Sequence, residues 1–220
     1  MNYCYQIISD FFNAYSLSHA TALLFGSLQA ANKGKIWKGR TSADLLYFFK
    51  KLEELLLASF DLVNDSSRRE GAMIENNAEG WFLTDYKNYC GWHVDSTPWD
   101  FFPRNLTQKE FLDPWKALKK ITRYGSVDEW KEYLYEILYH AMARYSINEE
   151  EINLLEVRLL LHKLLEASHL IEIRAIHEDE DGSRPKWKDR AKILAKRQQA
   201  GTSPGNDKSQ PVNDQHKTTS

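Results

Sequence analysis

The chain has 220 residues, of which 42% are hydrophobic, 27% charged and 13% aromatic. This composition excludes a collagen-like chain, a disulfide-rich scaffold and a wholly disordered protein, and it suffices for one sizeable core or two small ones. The formal net charge of −2 is unevenly divided, because residues 182–220 carry nine Lys/Arg against three Asp/Glu, which leaves −8 on residues 1–181. An acidic body disfavours nucleic-acid binding by the body itself.

The cysteine content and the N-terminal region bear on the compartment. Cys4 and Cys90 are the only cysteines, too few for a typical secreted disulfide framework, so we expect reduced thiols in a cytoplasmic protein. Residues 11–32 carry no charge if His19 is neutral, and a stretch of that length could span a bilayer. Its many polar side chains, and the lack of a Lys or Arg before it, instead favour a buried helix and no transmembrane segment.

Apolar residues at spacings of three and four predict the first two helices. The first covers residues 9–31, with a break near residues 16–18, and Gly34 follows it as a stop signal. The second begins after a cap at Thr41 or Ser42 and continues to residue 63.

Residues 64–106 form the irregular part of the sequence, with room for a short hairpin at residues 89–92. Ten aromatic residues lie between Trp81 and Trp115, more than a solvated loop would carry. We interpret this segment as an aromatic lid over one end of a helical core, or as a functional connection.

Capping signals mark the later helices. Thr107-x-x-Glu110 and Ser126-x-x-Glu129 have the capping-box spacing. The remaining predicted caps are Asp113 before Pro114, for a helix to Tyr124, and Asn148, or Ser146 with Glu149, for a last helix to about His177. The helix after Ser126 is expected to reach Tyr145 and to place that residue on its apolar face.

Together these elements predict an all-α fold, an irregular bundle of five to six helices with an aromatic-rich connecting segment. The last predicted helix is apolar on most sides, apart from a polar strip of Glu156, Lys163 and Arg174, so we expect it at the centre. We predict a single helical domain over residues 1–181, a basic helical extension over 182–197 and a disordered tail over 198–220.

One set of polar residues on the last helix has the spacing of metal ligands. His162, Glu166 and His169 share one side of the helix, and Glu-x-x-His is how di-iron bundle helices present a carboxylate and an imidazole. Glu136 and His140 would join them if the preceding helix packs alongside. We therefore consider a zinc or iron site formed by these five residues, the alternative being polar groups at the rim of the core.

A second candidate is a binding site in the aromatic segment, formed by Trp92, His93, Asp95 and Trp99. A histidine beside a carboxylate and indoles can act as a general base or a ligand. The alternative is an ordinary turn, because Asp, Ser, Thr and Pro surround these residues.

Arg158-x-x-x-His162 resembles the Arg- and His-containing motif of HEPN domains, which are small helical ribonucleases. The resemblance covers one helix and implies RNA cleavage by this pair. HEPN domains place four to six residues between the two, whereas this chain has three.

The basic segment 186–197 carries six Lys/Arg against one Asp and could meet nucleic acid or an anionic surface. The common nucleotide-binding and hydrolase motifs are missing from the sequence. We therefore predict a protein-interaction or adaptor module whose partner is another protein. The alternatives are a metal-binding helical-bundle enzyme and a HEPN-like ribonuclease.

Overall fold

The computed structural model describes residues 3–39, 41–65, 72–74, 86–90, 98–147 and 152–176. Within these residues the structure is helical and contains no strand, which confirms the all-α prediction. The chain divides into two units, Met1–Gly182 and Ser183–Ser220. The predicted basic extension and tail lie outside the described residues.

The described residues contain eight α-helices. They are α1 Tyr3–Ala14, α2 Leu17–Lys33, α3 Ser42–Asn64, α4 Lys87–Cys90, α5 Gln108–Leu112, α6 Trp115–Tyr124, α7 Val127–Met142 and α8 Leu154–Ile171. A 3₁₀ turn, Pro98–Phe101, precedes α5, and a π-helical turn, Glu172–Ile176, continues α8. Of the hairpin considered at residues 89–92, residues 89 and 90 belong to α4 instead, and residues 91 and 92 lie outside the described residues.

The predicted break in the first helical region separates α1 from α2. Ser16 has extended backbone angles, and its side chain accepts a hydrogen bond from the His19 N–H, which starts α2. Gly34 ends α2 in the left-handed conformation, with φ of 57°. Glycine adopts this conformation without the steric penalty that a side chain would add.

Capping interactions define most of the other helix starts. Reciprocal capping boxes form at Thr41, Thr107 and Ser126, as their spacing indicates. The predicted Asp113 cap is wrong, because Asp113 ends α5 and Pro114 precedes α6 without a side-chain cap. The cap of the last helix is also misplaced: α8 begins after Asn153, whose side chain accepts from the Glu156 N–H.

Helix α8 is the central element, and almost every residue from 160 to 171 is buried. It packs mainly on α6 and α2, whereas α7 packs mainly on α2 and α3. Leu161 and Leu164 lie in the core as expected for the apolar side of this helix. The core also contains the largest buried side chains, which include Phe11, Phe48, Phe101, Trp115 and Trp130.

Two of the three residues in the predicted polar strip, Lys163 and Arg174, are buried, whereas Glu156 is exposed. Lys163 is buried and donates to the buried Glu110 over 2.6 Å, and Lys120 reaches the same carboxylate over 2.6 Å. Burial alone would raise the pKa of Glu110, but hydrogen bonds from the two lysines lower it to about 2. Arg174 is buried as well, and its guanidinium donates to the carbonyl oxygen of Phe111 in α5 over 2.7 Å.

Candidate functional site

Glu166 holds the end of the connection between α3 and α5. Its carboxylate accepts hydrogen bonds from the backbone N–H groups of Arg104, Asn105 and Leu106 at 2.8–3.1 Å, and from the Asn105 side chain at 2.7 Å. Burial raises the pKa of this carboxyl, while the four donors act in the opposite direction. Its oxygens are therefore already engaged by protein donors.

His169 and Arg174 bind carbonyl groups in earlier parts of the same connection, and Arg174 also binds one in α5. The Nε2 atom of His169 lies 3.0 Å from the carbonyl oxygen of Tyr89, and its ring lies between those of Phe12 and Phe101. The Arg174 guanidinium donates to the carbonyl oxygens of Asn88, Ala72 and Phe111 at 2.7–3.3 Å. Burial lowers the pKa of Arg174 to about 9.

His162 lies inside the core, with an exposure of 5%, and neither ring nitrogen has a hydrogen-bond partner among the described residues. Burial, with a smaller influence from the charge of Arg158, lowers the pKa of this imidazole to about 4. Arg158 is exposed, and its guanidinium lies 4.9 Å from the ring centre of Phe25. A ribonuclease would need both side chains at a surface that RNA can reach, whereas here Arg158 is at the surface and His162 is inside the core.

Glu136 and His140 form a pair elsewhere, on α7. The Nε2 atom of His140 lies 3.4 Å from the Glu136 carboxylate, and its Nδ1 lies 3.0 Å from the carbonyl oxygen of Tyr145. In the part of the chain that the structure describes, no three His, Cys, Asp or Glu side chains are grouped to hold a metal ion. The predicted five-residue metal site does not form there, because α7 packs on α2 and α3 rather than along the polar side of α8.

Of the second candidate site, only Trp99 is described, and Trp92, His93 and Asp95 lie outside the described residues. The Trp99 indole is 67% exposed and stacks on Phe102, with 6.2 Å between ring centres. The Arg104 guanidinium lies 5.1 Å from the centre of the Trp99 ring.

The C-terminal half of α7 and the residues just after it present an exposed cluster that we call the tyrosine face: Tyr135, Tyr139, Met142 and Tyr145. The first three lie four and three residues apart and therefore share one side of the helix. Tyr135 and Tyr139 stack at 6.1 Å, and the hydroxyls of Tyr139 and Tyr145 are hydrogen-bonded. Tyr135 is 61% exposed and Tyr145 is 51% exposed. The expectation that Tyr145 faces the core is wrong, because α7 ends at Met142.

The loop after α2 lies beside the tyrosine face. The backbone N–H of Trp37 donates to the carbonyl oxygen of Ala141 at 2.8 Å. Gly34 lies close to the backbone of Tyr145 and Ser146. The Trp37 indole lies between Gly26 and Gly39, where an added Cβ atom would come within 3.2 Å and 2.5 Å of it. These two glycines therefore leave room for the indole, which a side chain at either position would crowd.

Two grooves follow the C-terminal half of α2. The first, of about 490 Å³, is lined by residues of α2 and by the start of α8, including Phe25, Leu155 and Arg158. The second, of about 920 Å³, is lined by α2, by the loop around Trp37 and by Arg144. Gln29 and Lys33 line both grooves. The grooves therefore adjoin each other, and the second reaches Gly34, which lies close to the backbone of Tyr145 in the tyrosine face.

We call these two grooves together the basic groove, because five exposed cations line them: Lys33, Lys35, Lys38, Arg144 and Arg158. No carboxylate is among the described residues that line either groove. No motif in the sequence predicts this site. Its one local signal is Gly26 within a helix, where glycine is unfavourable unless another group approaches closely.

Comparisons with protein-family models, curated proteins and solved structures gave no match for this chain. None of the described helices is long and apolar enough to cross a membrane.

Proposed function

We propose that this protein is an interaction module that binds a partner protein through the tyrosine face. The observation that carries the proposal is the exposed set of Tyr135, Tyr139, Met142 and Tyr145, in which the Tyr139 ring contacts the rings of the other two tyrosines. Tyrosine and methionine are enriched at the centres of protein interfaces, where they supply large apolar areas together with hydrogen-bonding groups.

The geometry favours a preformed face. Tyr145 follows the end of α7, and its carbonyl oxygen lies 3.0 Å from the His140 ring. The Tyr139 ring contacts the rings of Tyr135, His140 and Tyr145 with centres 5.4–6.1 Å apart. Side chains held in this way lose little conformational entropy when a partner binds, which favours affinity. We place the interaction in the cytoplasm, where unbridged cysteines such as Cys4 and Cys90 are expected.

The proposal is tested by site-specific photo-crosslinking in cells that express the full chain. A photoreactive phenylalanine analogue replaces Tyr135 on the tyrosine face and, as the control, the exposed Tyr3 on α1. We expect a discrete crosslinked partner at position 135 and none of that partner at position 3.

The same partner is then purified and titrated with the wild-type chain and with variants. Tyr135→Ser with Tyr139→Ser should weaken binding at least about tenfold, as loss of central aromatic side chains does, and Tyr3→Ser should leave the affinity unchanged. Identical crosslinks at both positions, or equal affinities for all variants, would overturn the proposal.

A further inference from the structure

We propose that the basic groove binds an extended acidic segment of the partner protein. This inference rests on the proposed function, since the groove adjoins the tyrosine face and would bind the same partner. It adds the chemistry of the partner, which the aromatic cluster does not specify.

The charge of the groove is the first argument. Lys33, Lys35, Lys38, Arg144 and Arg158 line it, and no carboxylate is found among the described residues of its lining. This concentration of one sign is unusual in a body of net charge −8 over residues 1–181. Fields of surface charges extend only about 8–10 Å at physiological salt, so a short acidic segment in the groove would interact mainly with these five cations.

The lysines are not required to neutralise the end of α2. The carbonyl oxygen of Ala30 already accepts from the N–H groups of Gly34 and Lys35, and that of Ala31 accepts from the N–H of Ile147. Backbone N–H groups thus donate to carbonyl groups of the last turn, so lysine side chains are not needed as donors there. The cations therefore remain available to an external anion.

The shape of the groove favours an elongated ligand. Its two parts share Gln29 and Lys33 and follow successive turns of α2. Exposed apolar side chains of Phe25, Ile36 and Leu155 lie among the cations. An extended peptide advances about 3.3 Å per residue and turns alternate side chains to opposite sides. It could therefore direct carboxylates to the cations and occasional apolar residues to these three side chains.

The occupant that fits is a separate polypeptide. None of the acidic residues of this chain that the structure describes lines the groove. A nucleic acid fits less well, because its uniformly charged backbone would be repelled by the net negative charge of residues 1–181.

The test measures fluorescence anisotropy of a labelled ten-residue Asp/Glu peptide containing two leucines, titrated with the full chain. The comparison ligand is a labelled single-stranded oligothymidylate with the same number of negative charges. We expect saturable binding of the peptide, weaker binding of the oligonucleotide, and a loss of affinity of at least about tenfold between roughly 0.05 M and 0.5 M NaCl.

Charge-reversal variants locate the binding. Lys35→Glu with Lys38→Glu should weaken peptide binding at least about tenfold, while Lys50→Glu with Lys109→Glu, which changes the net charge equally at exposed positions elsewhere, should weaken it less than about twofold. Arg158→Gln should weaken binding severalfold if the two parts act as one groove. Circular dichroism checks folding, and Lys35→Gln with Lys38→Gln replaces the reversal pair if that pair unfolds.

Absence of peptide binding, equal effects of the two charge-reversal pairs, or tighter binding of the oligonucleotide would overturn the inference. The two proposals fail separately. Tyr135→Ser with Tyr139→Ser should not change binding of the short peptide, and an inert groove would leave crosslinking at position 135 intact.

Discussion

At the scale of single residues, the polar side chains of α8 show how a ligand-like pattern can serve the fold. Glu166 and His169 have the spacing of a metal-binding helix, yet they bind backbone groups of the connection between α3 and α5. Backbone N–H and C=O groups occur at every residue, so the sequence around position 105 contains no sign that a carboxylate 61 residues later will bind there. The sequence predicts that Glu166 and His169 share one side of α8, but it does not predict which groups they bind.

Replacing Glu166 with alanine should destabilise the fold by about 2–4 kcal/mol, because it removes the acceptor for three backbone N–H groups and an amide. Chemical denaturation measures the change. Glu132→Ala, at an exposed position on α7, is the control and should stay within about 0.5 kcal/mol. Similar values for both variants would show that the Glu166 interactions contribute little.

His162 should make stability depend on pH. Its pKa is about 4 in the fold and about 6.5 in the unfolded chain, so the unfolded state binds the proton more readily. Stability that is present at neutral pH is therefore lost as the pH falls from about 6.5 toward 4. Between pH 7 and pH 4, the wild type should lose roughly 3 kcal/mol more than His162→Leu. Parallel pH profiles of unfolding free energy would contradict this.

At the scale of helices, capping signals gave reliable boundaries where one candidate stood alone, as at Thr107 and Ser126. The last helix had several, since Ser146, Asn148 and Asn153 are all favourable caps. Apolar periodicity does not discriminate among them, because α8 is apolar on most sides. Because α8 begins only at Leu154, Ile147 lies outside the helix, and its backbone N–H donates to the carbonyl oxygen of Ala31. Local sequence patterns do not predict this tertiary contact.

Two glycines that follow helices should respond differently to alanine. Gly34 has φ of 57°, and an added Cβ would lie 2.9 Å from the Ser146 nitrogen. Gly125 has φ of −161°, an extended conformation that any residue adopts. We expect Gly34→Ala to lower the unfolding free energy by at least about 1 kcal/mol and Gly125→Ala to change it by less than about 0.5 kcal/mol. Thermal or chemical unfolding measures both changes. Equal losses of unfolding free energy in the two variants would show that a side chain at position 34 is not strained.

At the scale of the whole molecule, the side chains that project from α8 and the π-helical turn hold the long connection against the bundle. Glu166, His169 and Arg174 bind it at four places between residues 72 and 106. The all-α class was predictable because it follows from local periodicity. The basic groove was not, because its cations come from three parts of the chain that only the fold brings together.

Arg174→Met should release part of this connection. The variant loses hydrogen bonds to three carbonyl groups in separate segments, and we expect a destabilisation of about 3 kcal/mol or more. Limited proteolysis should show faster cleavage between residues 65 and 107 than in wild type. Arg123→Met, at an exposed position on α6, should behave as wild type. A protease pattern unchanged by Arg174→Met would mean that other contacts hold the connection.

The position of Arg174 late in the chain also affects folding during synthesis. The ribosome adds about 5–20 residues per second, and Ala72, whose carbonyl group Arg174 binds, is synthesised 102 residues earlier. The connection is therefore without this hydrogen bond for about 5–20 s after Ala72 has been added. Contacts of such long sequence separation also slow folding in general. Until α8 is complete, the aromatic side chains that it covers stay exposed, and the growing chain should depend on chaperones that shield apolar surface during translation.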